Sequence, residues 1–224
     1  IGVVGPDGAA ERLAGAIEGG SACVGTAASV LADGATLVAA VGEAAVTALA
    51  GAGADVLVLP VDLDDVSGSV PLDRAAAVLE RVGAGAPTTR EWPVVGAELD
   101  GEARGRGAFE VALVTDEPAR ISAFAVETPG GTDRFRADGV AVSTPAGSAG
   151  YTRTLGGPVL DLDAESLAVV PIAAFAVRPS VRVTRAGASL TLRVTRDEGD
   201  IRLLVDGEDH GLVGPGRPLS VDVV

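Results

Sequence analysis

Lysine, asparagine, glutamine and methionine are all missing from this chain of 224 residues, and cysteine, histidine, tryptophan and tyrosine occur once each. The single cysteine, Cys23, has no partner within the chain, so a disulfide scaffold is excluded and Cys23 reads as a small buried residue. One histidine, His210, and one cysteine give no metal-ligand spacing, which excludes a structural zinc site and leaves His210 as a loop residue at the surface. No Walker A pattern occurs, so a P-loop enzyme is excluded. No apolar run reaches membrane-span length, and no basic-then-apolar signal is present; the expectation is a cytoplasmic protein. Aromatic residues make up only 3% of the chain against 47% hydrophobic residues, so the core must come from Val, Leu, Ala and Ile.

All 17 basic residues are arginine, against 31 acidic ones, for a net charge of −14. That balance excludes a general nucleic-acid binder, because phosphate contacts need clustered cations. Two origins fit it, adaptation to a cytosol of molar salt, where a Debye length of about 3 Å screens self-repulsion, and drift in a GC-rich genome; the expectation is a salt-adapted protein.

The chain changes texture midway. Ile1 to Gly5 reads as a short strand entering Gly5-Pro6-Asp7-Gly8, followed by a helix over Ala9 to Ile17 with Leu13, Ala16 and Ile17 on one face. Thr36 to Val41 is a second strand, with a helix after it carrying Val46, Leu49 and Ala50. Asp55 to Pro60 is a third strand. Continuous apolar runs of this kind fit a parallel sheet buried on both faces. A helix over Leu72 to Val82 closes this half, and Gly83-Ala84-Gly85-Ala86-Pro87 breaks the pattern. From Thr88 onward, short alternating runs are separated by turn signals at Asp100-Gly101, Thr184 to Ala188, Gly199-Asp200 and Asp206-Gly207, all hairpin-like. The expectation is an α/β domain over 1–87 followed by a β-rich domain over 88–224.

The richest stretch runs from Asp138 to Pro158. Val140 to Val142 reads as a buried strand. Ser143, Thr144, Pro145, Ala146 and Gly147 form a small-residue turn, Ser148 caps a following helix, and Gly156, Gly157 and Pro158 stop it. Such a strand–turn–helix leaves backbone N–H groups facing open space, a generic place for an anionic or polar ligand.

In the order Asp138, Gly139, Ser143, Thr144, Pro145, Gly147, Ser148, Tyr151, Gly156, Gly157 and Pro158, this stretch resembles the dinucleotide-binding signature of the NAD kinase family. Ala146, Ala149 and Gly150 depart from that pattern. The resemblance implies a Rossmann-like α/β domain, then a β-sandwich-like NAD-binding domain, with the dinucleotide in the cleft between them. It implies phosphoryl transfer from Mg²⁺-bound ATP, or from polyphosphate, to the adenosine-ribose 2′-hydroxyl of NAD, giving NADP. It also implies a homodimer or homotetramer. Mg²⁺ would arrive on the triphosphate, held mostly by phosphates and water.

Carried residue by residue, Gly42 and Glu43 lie where the family has Gly-Gly-Asp-Gly. Only one glycine survives, in Val41-Gly42-Glu43-Ala44, and Glu43 stands for the catalytic Asp with one more methylene. Glu43 is either the base on the ribose hydroxyl or a charge at a helix N-terminus. Glu110, in Ala108-Phe109-Glu110-Val111, matches the acid of the family's Asn-Glu pair and is favoured as a ribose ligand over a solvated acid. Phe109 replaces the Asn and reads as a core residue at a strand start. Asp138 matches the acid near the nicotinamide end, or is an ordinary Asp-Gly turn. Tyr151 is the family aromatic that packs on the dinucleotide, favoured over a core tyrosine. Thr154 keeps a family hydroxyl, and Ala149 and Gly150 would meet the ligand through backbone. A non-catalytic NAD- or NADP-binding relative is a second reading, motivated by the altered turn and Phe109, and a lipid or sugar kinase of the same plan is a third.

Overall fold

A computed structural model describes residues 1–17, 22–64, 66, 68–85, 87–117, 120–177 and 180–224. The chain divides into two compact units, Ile1–Glu91 and Trp92–Val224.

The first unit alternates strands and helices: β1 (Gly2–Val4), α1 (Asp7–Ala16), β2 (Cys23–Val24), α2 (Ala27–Ala32), β3 (Leu37–Val41), α3 (Glu43–Gly51), β4 (Leu57–Val61) and α4 (Leu72–Ala84). Its four strands are parallel in the order β2-β1-β3-β4. Among the strands expected from the apolar runs, β1 and β3 are buried along their whole length. At the sheet edge, β4 leaves Leu57 and Val58 exposed, so burial on both faces fails there. Helix α1 buries Ala10 and Leu13, and Ile17 follows them into the core, but Ala16 faces solvent; the buried stripe starts one turn earlier than expected. Val3, Leu13, Ala39, Val41, Val61, Ala75 and Leu79 make the core between the sheet and helices α1 and α4. The elements β2 and α2 escape a periodicity reading because each is too short to show a period; Thr26 caps α2 by accepting the Ser29 N–H. Cys23 is half-buried on β2.

The second unit is antiparallel throughout. Its strands are β5 (Val95–Leu99), β6 (Glu102–Gly107), β7 (Glu110–Thr115), β8 (Ser122–Thr128), β9 (Gly131–Ala137), β10 (Gly139–Ser143), β11 (Ser166–Ile172), β12 (Arg182–Arg185), β13 (Thr191–Arg196), β14 (Ile201–Val205), β15 (Glu208–Leu212) and β16 (Pro218–Val223). They form two six-stranded sheets, β12-β11-β10-β7-β14-β15 and β6-β5-β16-β13-β8-β9. Alternate residues of both sheets share one core, including Val111, Leu113, Val140, Val142, Leu203, Phe124, Leu192 and Leu219. This is the packing of a β-sandwich. Phe124 is the one aromatic among the largest fully buried side chains, consistent with a core made of aliphatic groups.

Two Asp-Gly signals form hairpin turns with both residues at positive φ: Asp100 (55°) and Gly101 (81°) join β5 to β6, and Asp206 (47°) and Gly207 (80°) join β14 to β15. The signal at Thr184 to Ala188 behaves differently. It joins β12 to β13, which lie in different sheets, so the chain crosses the sandwich there rather than folding back on itself, and the signal at Gly199-Asp200 likewise leads from β13 across to β14 in the other sheet.

Candidate functional site

Strand β10 sets the geometry. Its residues alternate between the shared core (Val140, Val142) and the outer face of its sheet, where Ala141 meets Ala112, Ile172 and the partly buried Leu155. At its C-terminal end Ser143 pairs with Glu110 of β7 on one side and Ala168 of β11 on the other.

The turn that follows is capped by Thr144, not Ser148. The Thr144 side chain accepts the Gly147 N–H at 3.1 Å, with Pro145 in the first turn of the short helix α5 (Pro145–Gly147). The Ser148 N–H donates to the Thr144 carbonyl at 2.9 Å. Residues 143–148 are all buried. The N–H groups of Gly147 and Ser148 are thus consumed within the turn rather than left facing open space. Ser148 works inside the loop: its hydroxyl donates to the Pro145 carbonyl at 2.7 Å and accepts the Leu160 N–H at 2.8 Å. The chain continues into a π-helical turn, Ser148–Thr152, broken at Gly150. π-Turns of this kind recur at functional sites. The Thr152 hydroxyl is hydrogen-bonded to that of Ser143, which pins this turn to the end of β10.

What this leaves on the surface is Ala149, half-buried, and Gly150, Tyr151 and Thr154, all exposed. Tyr151 keeps 43% of its surface exposed. Partial burial pushes its phenol above the ordinary tyrosine range, and the nearby charge of Glu110 adds to the shift. Glu110 pairs with Ser143 at this end of β10, close enough for its charge to add to the shift of the Tyr151 phenol. The Thr154 hydroxyl donates to the Tyr151 carbonyl at 2.7 Å, so its first role is local.

Asp138 lies at the other end of β10. Its N–H donates to the Ile172 carbonyl at 2.9 Å and its carbonyl accepts the Thr115 N–H at 2.8 Å, which completes the ladder there. Five residues at ~3.3 Å each put it roughly 16 Å from Ser143. Glu110, opposite Ser143, and the turn that carries Ala149, Gly150, Tyr151 and Thr154, tied to Ser143 through Thr152, thus lie toward one end of β10, and Asp138 stands one strand length away. On β14, Arg202 binds Asp116 at 2.7 Å and Asp209 at 2.6 Å. The Arg202 hydrogen bond holds the Asp116 carboxyl below the usual range, and the Gly211 N–H followed by Arg202 does so for Asp209.

Gly42 and Glu43 belong to the first unit. Gly42 has φ 81°, which an L side chain rarely adopts, and its N–H donates to the Val61 carbonyl at 2.9 Å. Nothing lies within 4 Å of where its Cβ would be, so conformation and not crowding demands the glycine. Glu43 is the first residue of α3 and is exposed, where a negative charge contributes about 0.3–1 kcal/mol.

The segment before Glu110 is held by a residue that no local pattern singles out. The Asp206 carboxylate accepts the N–H groups of Ala108 at 2.8 Å, Phe109 at 2.9 Å and Glu110 at 2.8 Å. From the other side, the Thr144 hydroxyl donates to the Ala108 carbonyl at 2.6 Å, and the Thr144 N–H donates to the Phe109 carbonyl at 2.9 Å. Phe109 is half-buried just before β7. His210 sits on strand β15, half-buried, not in a loop: its ring stands 2.7 Å from where a Cβ at Gly105 would be. Among the described residues no group of three or more His, Cys, Asp or Glu is arranged to hold a metal ion, and no helix is long and apolar enough to cross a membrane.

Comparison with known proteins places these features in context. Residues 109–223 match the family profile of the ATP-NAD kinase C-terminal domain. The NAD kinase of Methanocorpusculum labreanum is 31% identical over 125 residues, 55% of this chain and 46% of that protein. The NAD kinase of Methanospirillum hungatei is 35% identical over 113 residues, 49% of this chain and 41% of that protein. The matches thus span less than half the length of these curated relatives. In fold, the chain is similar to yeast NADH kinase complexed with NADH, with a TM-score of 0.77 at 15% identity over 90% of this chain and 61% of that one. It is also similar to an NAD kinase from Archaeoglobus fulgidus in complex with ATP, with a TM-score of 0.71 at 17% identity over 100% of this chain and 89% of that one. A family profile that covers half of the chain, over the unit that carries the β10 turn, Glu110 and Tyr151, means that this chain belongs to the NAD kinase family.

Proposed function

We propose that the chain is an NAD kinase, transferring a phosphoryl group from ATP or inorganic polyphosphate to the adenosine-ribose 2′-hydroxyl of NAD. The observation that carries this reading is the family match over 109–223 together with the Glu110–Tyr151 grouping at the end of β10. The bond from the ribose 2′-oxygen to phosphorus forms as the bond from phosphorus to the donor's bridging oxygen breaks. Glu43 takes the hydroxyl proton. The Gly42 turn offers backbone to the phosphates. Glu110 accepts from the ribose, Tyr151 packs on the dinucleotide, and Ala149 and Gly150 meet it through backbone. Thr154 supports Tyr151, and Asp138 serves the nicotinamide end. Catalysis of this type is mostly positioning and charge stabilisation. Mg²⁺ enters as part of the Mg–ATP substrate. The protein works in the cytoplasm as a homodimer or homotetramer, which light scattering on the eluted protein checks.

The altered turn Val41-Gly42-Glu43-Ala44 and Phe109 in place of an Asn favour a second reading, a catalytically weak or inactive NAD(P)-binding relative with a regulatory or structural role. Calorimetry with NAD and NADP, run beside an assay for NADP formation, separates the two. Binding with turnover supports the kinase. Binding without turnover by any donor supports the relative. Absence of dinucleotide binding rejects both.

A further inference from the structure

We infer that Asp206 is a positioning residue, whose carboxylate fixes where Glu110 stands against the dinucleotide. The inference rests on the proposed dinucleotide role of Glu110. Three consecutive backbone donors, those of Ala108, Phe109 and Glu110, converge on this one carboxylate at 2.8–2.9 Å. Successive N–H groups turned toward one anion form a concave anion site, and here the anion is supplied by the chain itself. Asp206 and Glu110 also exchange backbone and side-chain bonds: the Glu110 N–H donates to Asp206 Oδ1, and the Asp206 N–H donates to the Glu110 carbonyl at 2.9 Å. Gly107 leaves the room this needs, since a Cβ there would stand 2.6 Å from Asp206 Oδ1.

The turn itself does not require a charge at 206. Asn-Gly suits a two-residue hairpin turn at positive φ as well as Asp-Gly does. What requires a carboxylate is the set of three amides. A carboxamide has one accepting oxygen, and its NH₂ would face a third N–H donor. Oδ1 takes Phe109 and Glu110, and Oδ2 takes Ala108, so an amide at 206 leaves one of the two sides unsatisfied. Thr144 holds the carbonyls of Ala108 and Phe109 from the opposite side. The segment entering β7 is therefore fixed by residues far apart in sequence, and Glu110 is carried at its end, opposite Ser143.

A double-mutant cycle tests this. NAD dissociation constants are measured by calorimetry for the parent, Asp206→Asn, Glu110→Gln and the double variant, with thermal midpoints taken alongside. If Asp206 acts through Glu110, Asp206→Asn weakens NAD about tenfold in the parent background and less than about twofold in Glu110→Gln. Independent losses that multiply to about a hundredfold, or an unchanged affinity in Asp206→Asn, would overturn the inference, whatever the thermal midpoints do. Should Asp206→Asn fail to fold, Gly107→Ala crowds the same carboxylate and carries the same cycle, with the same expected and overturning results. A parent that binds NAD while the cycle is additive overturns this inference alone. A parent that binds no NAD overturns the proposed function and takes this inference with it.

Discussion

Because Tyr151 is the only tyrosine in the chain, its phenol can be titrated by ultraviolet absorbance without a competitor of its own kind. Its folded-state pKa is raised, first by desolvation and then by Glu110. The neutral phenol is thus favoured in the fold, a contribution complete below the ordinary tyrosine value and lost as pH rises through the folded one. We expect the midpoint above the usual value of about 10, and Glu110→Gln to bring it part of the way back. A midpoint at or below the ordinary value would contradict the juxtaposition of these two groups. The residues of this end of β10 differ in how far the sequence announces them. Tyr151 and Glu110 stand in recognisable strings. Thr144 could have been found from Pro145, since a proline at the first helical position marks the residue before it as the cap. The eye goes instead to Ser148, whose hydroxyl turns inward. Asp206 could not be found this way: its three amide partners lie 96–98 positions distant, and its local context says only hairpin.

At the scale of elements, the turn after β10 depends on close approach. A Cβ on Gly147 would stand 2.1 Å from the Phe109 carbonyl oxygen, a backbone atom that Thr144 already holds. Gly147→Ala should therefore destabilise the second unit by about 1–3 kcal/mol, as overpacking does. Gly15 in the exposed part of α1 has nothing within 4 Å, so Gly15→Ala should stabilise by about 0.5–1 kcal/mol through helix propensity alone. Urea unfolding of the two variants checks the opposite signs; equal effects would show that the close contact does not matter. Strand existence was legible from alternation and Asp-Gly pairs, and the α/β-then-β order from the change in texture. Sheet membership was not. The turn chemistry of Thr184 to Ala188 is that of a tight reversal, yet β12 and β13 pair with different neighbours. Nor does an apolar run reveal an edge: Leu57 and Val58 look like the interior residues of β3, and only the order β2-β1-β3-β4 puts them at the margin.

For the whole molecule, a net charge of −14 with arginine as the only strong cation gives a surface that repels itself in dilute buffer. At molar salt the Debye length falls to about 3 Å and that repulsion is screened. The unfolding midpoint should rise from dilute buffer to molar KCl, and an unchanged midpoint would reject salt adaptation. The family match lies in the second unit, whereas Glu43 lies in the first. The proposal that Glu43 removes the ribose proton therefore asks most of the chain. Its most direct test is NADP formation from NAD with Mg–ATP or polyphosphate, by the parent and by Glu43→Ala. The account predicts that the parent makes NADP and that Glu43→Ala slows it at least about a hundredfold while NAD affinity stays within about threefold. A Glu43→Ala protein that makes NADP as fast as the parent, or a parent that makes none with either donor, would contradict it.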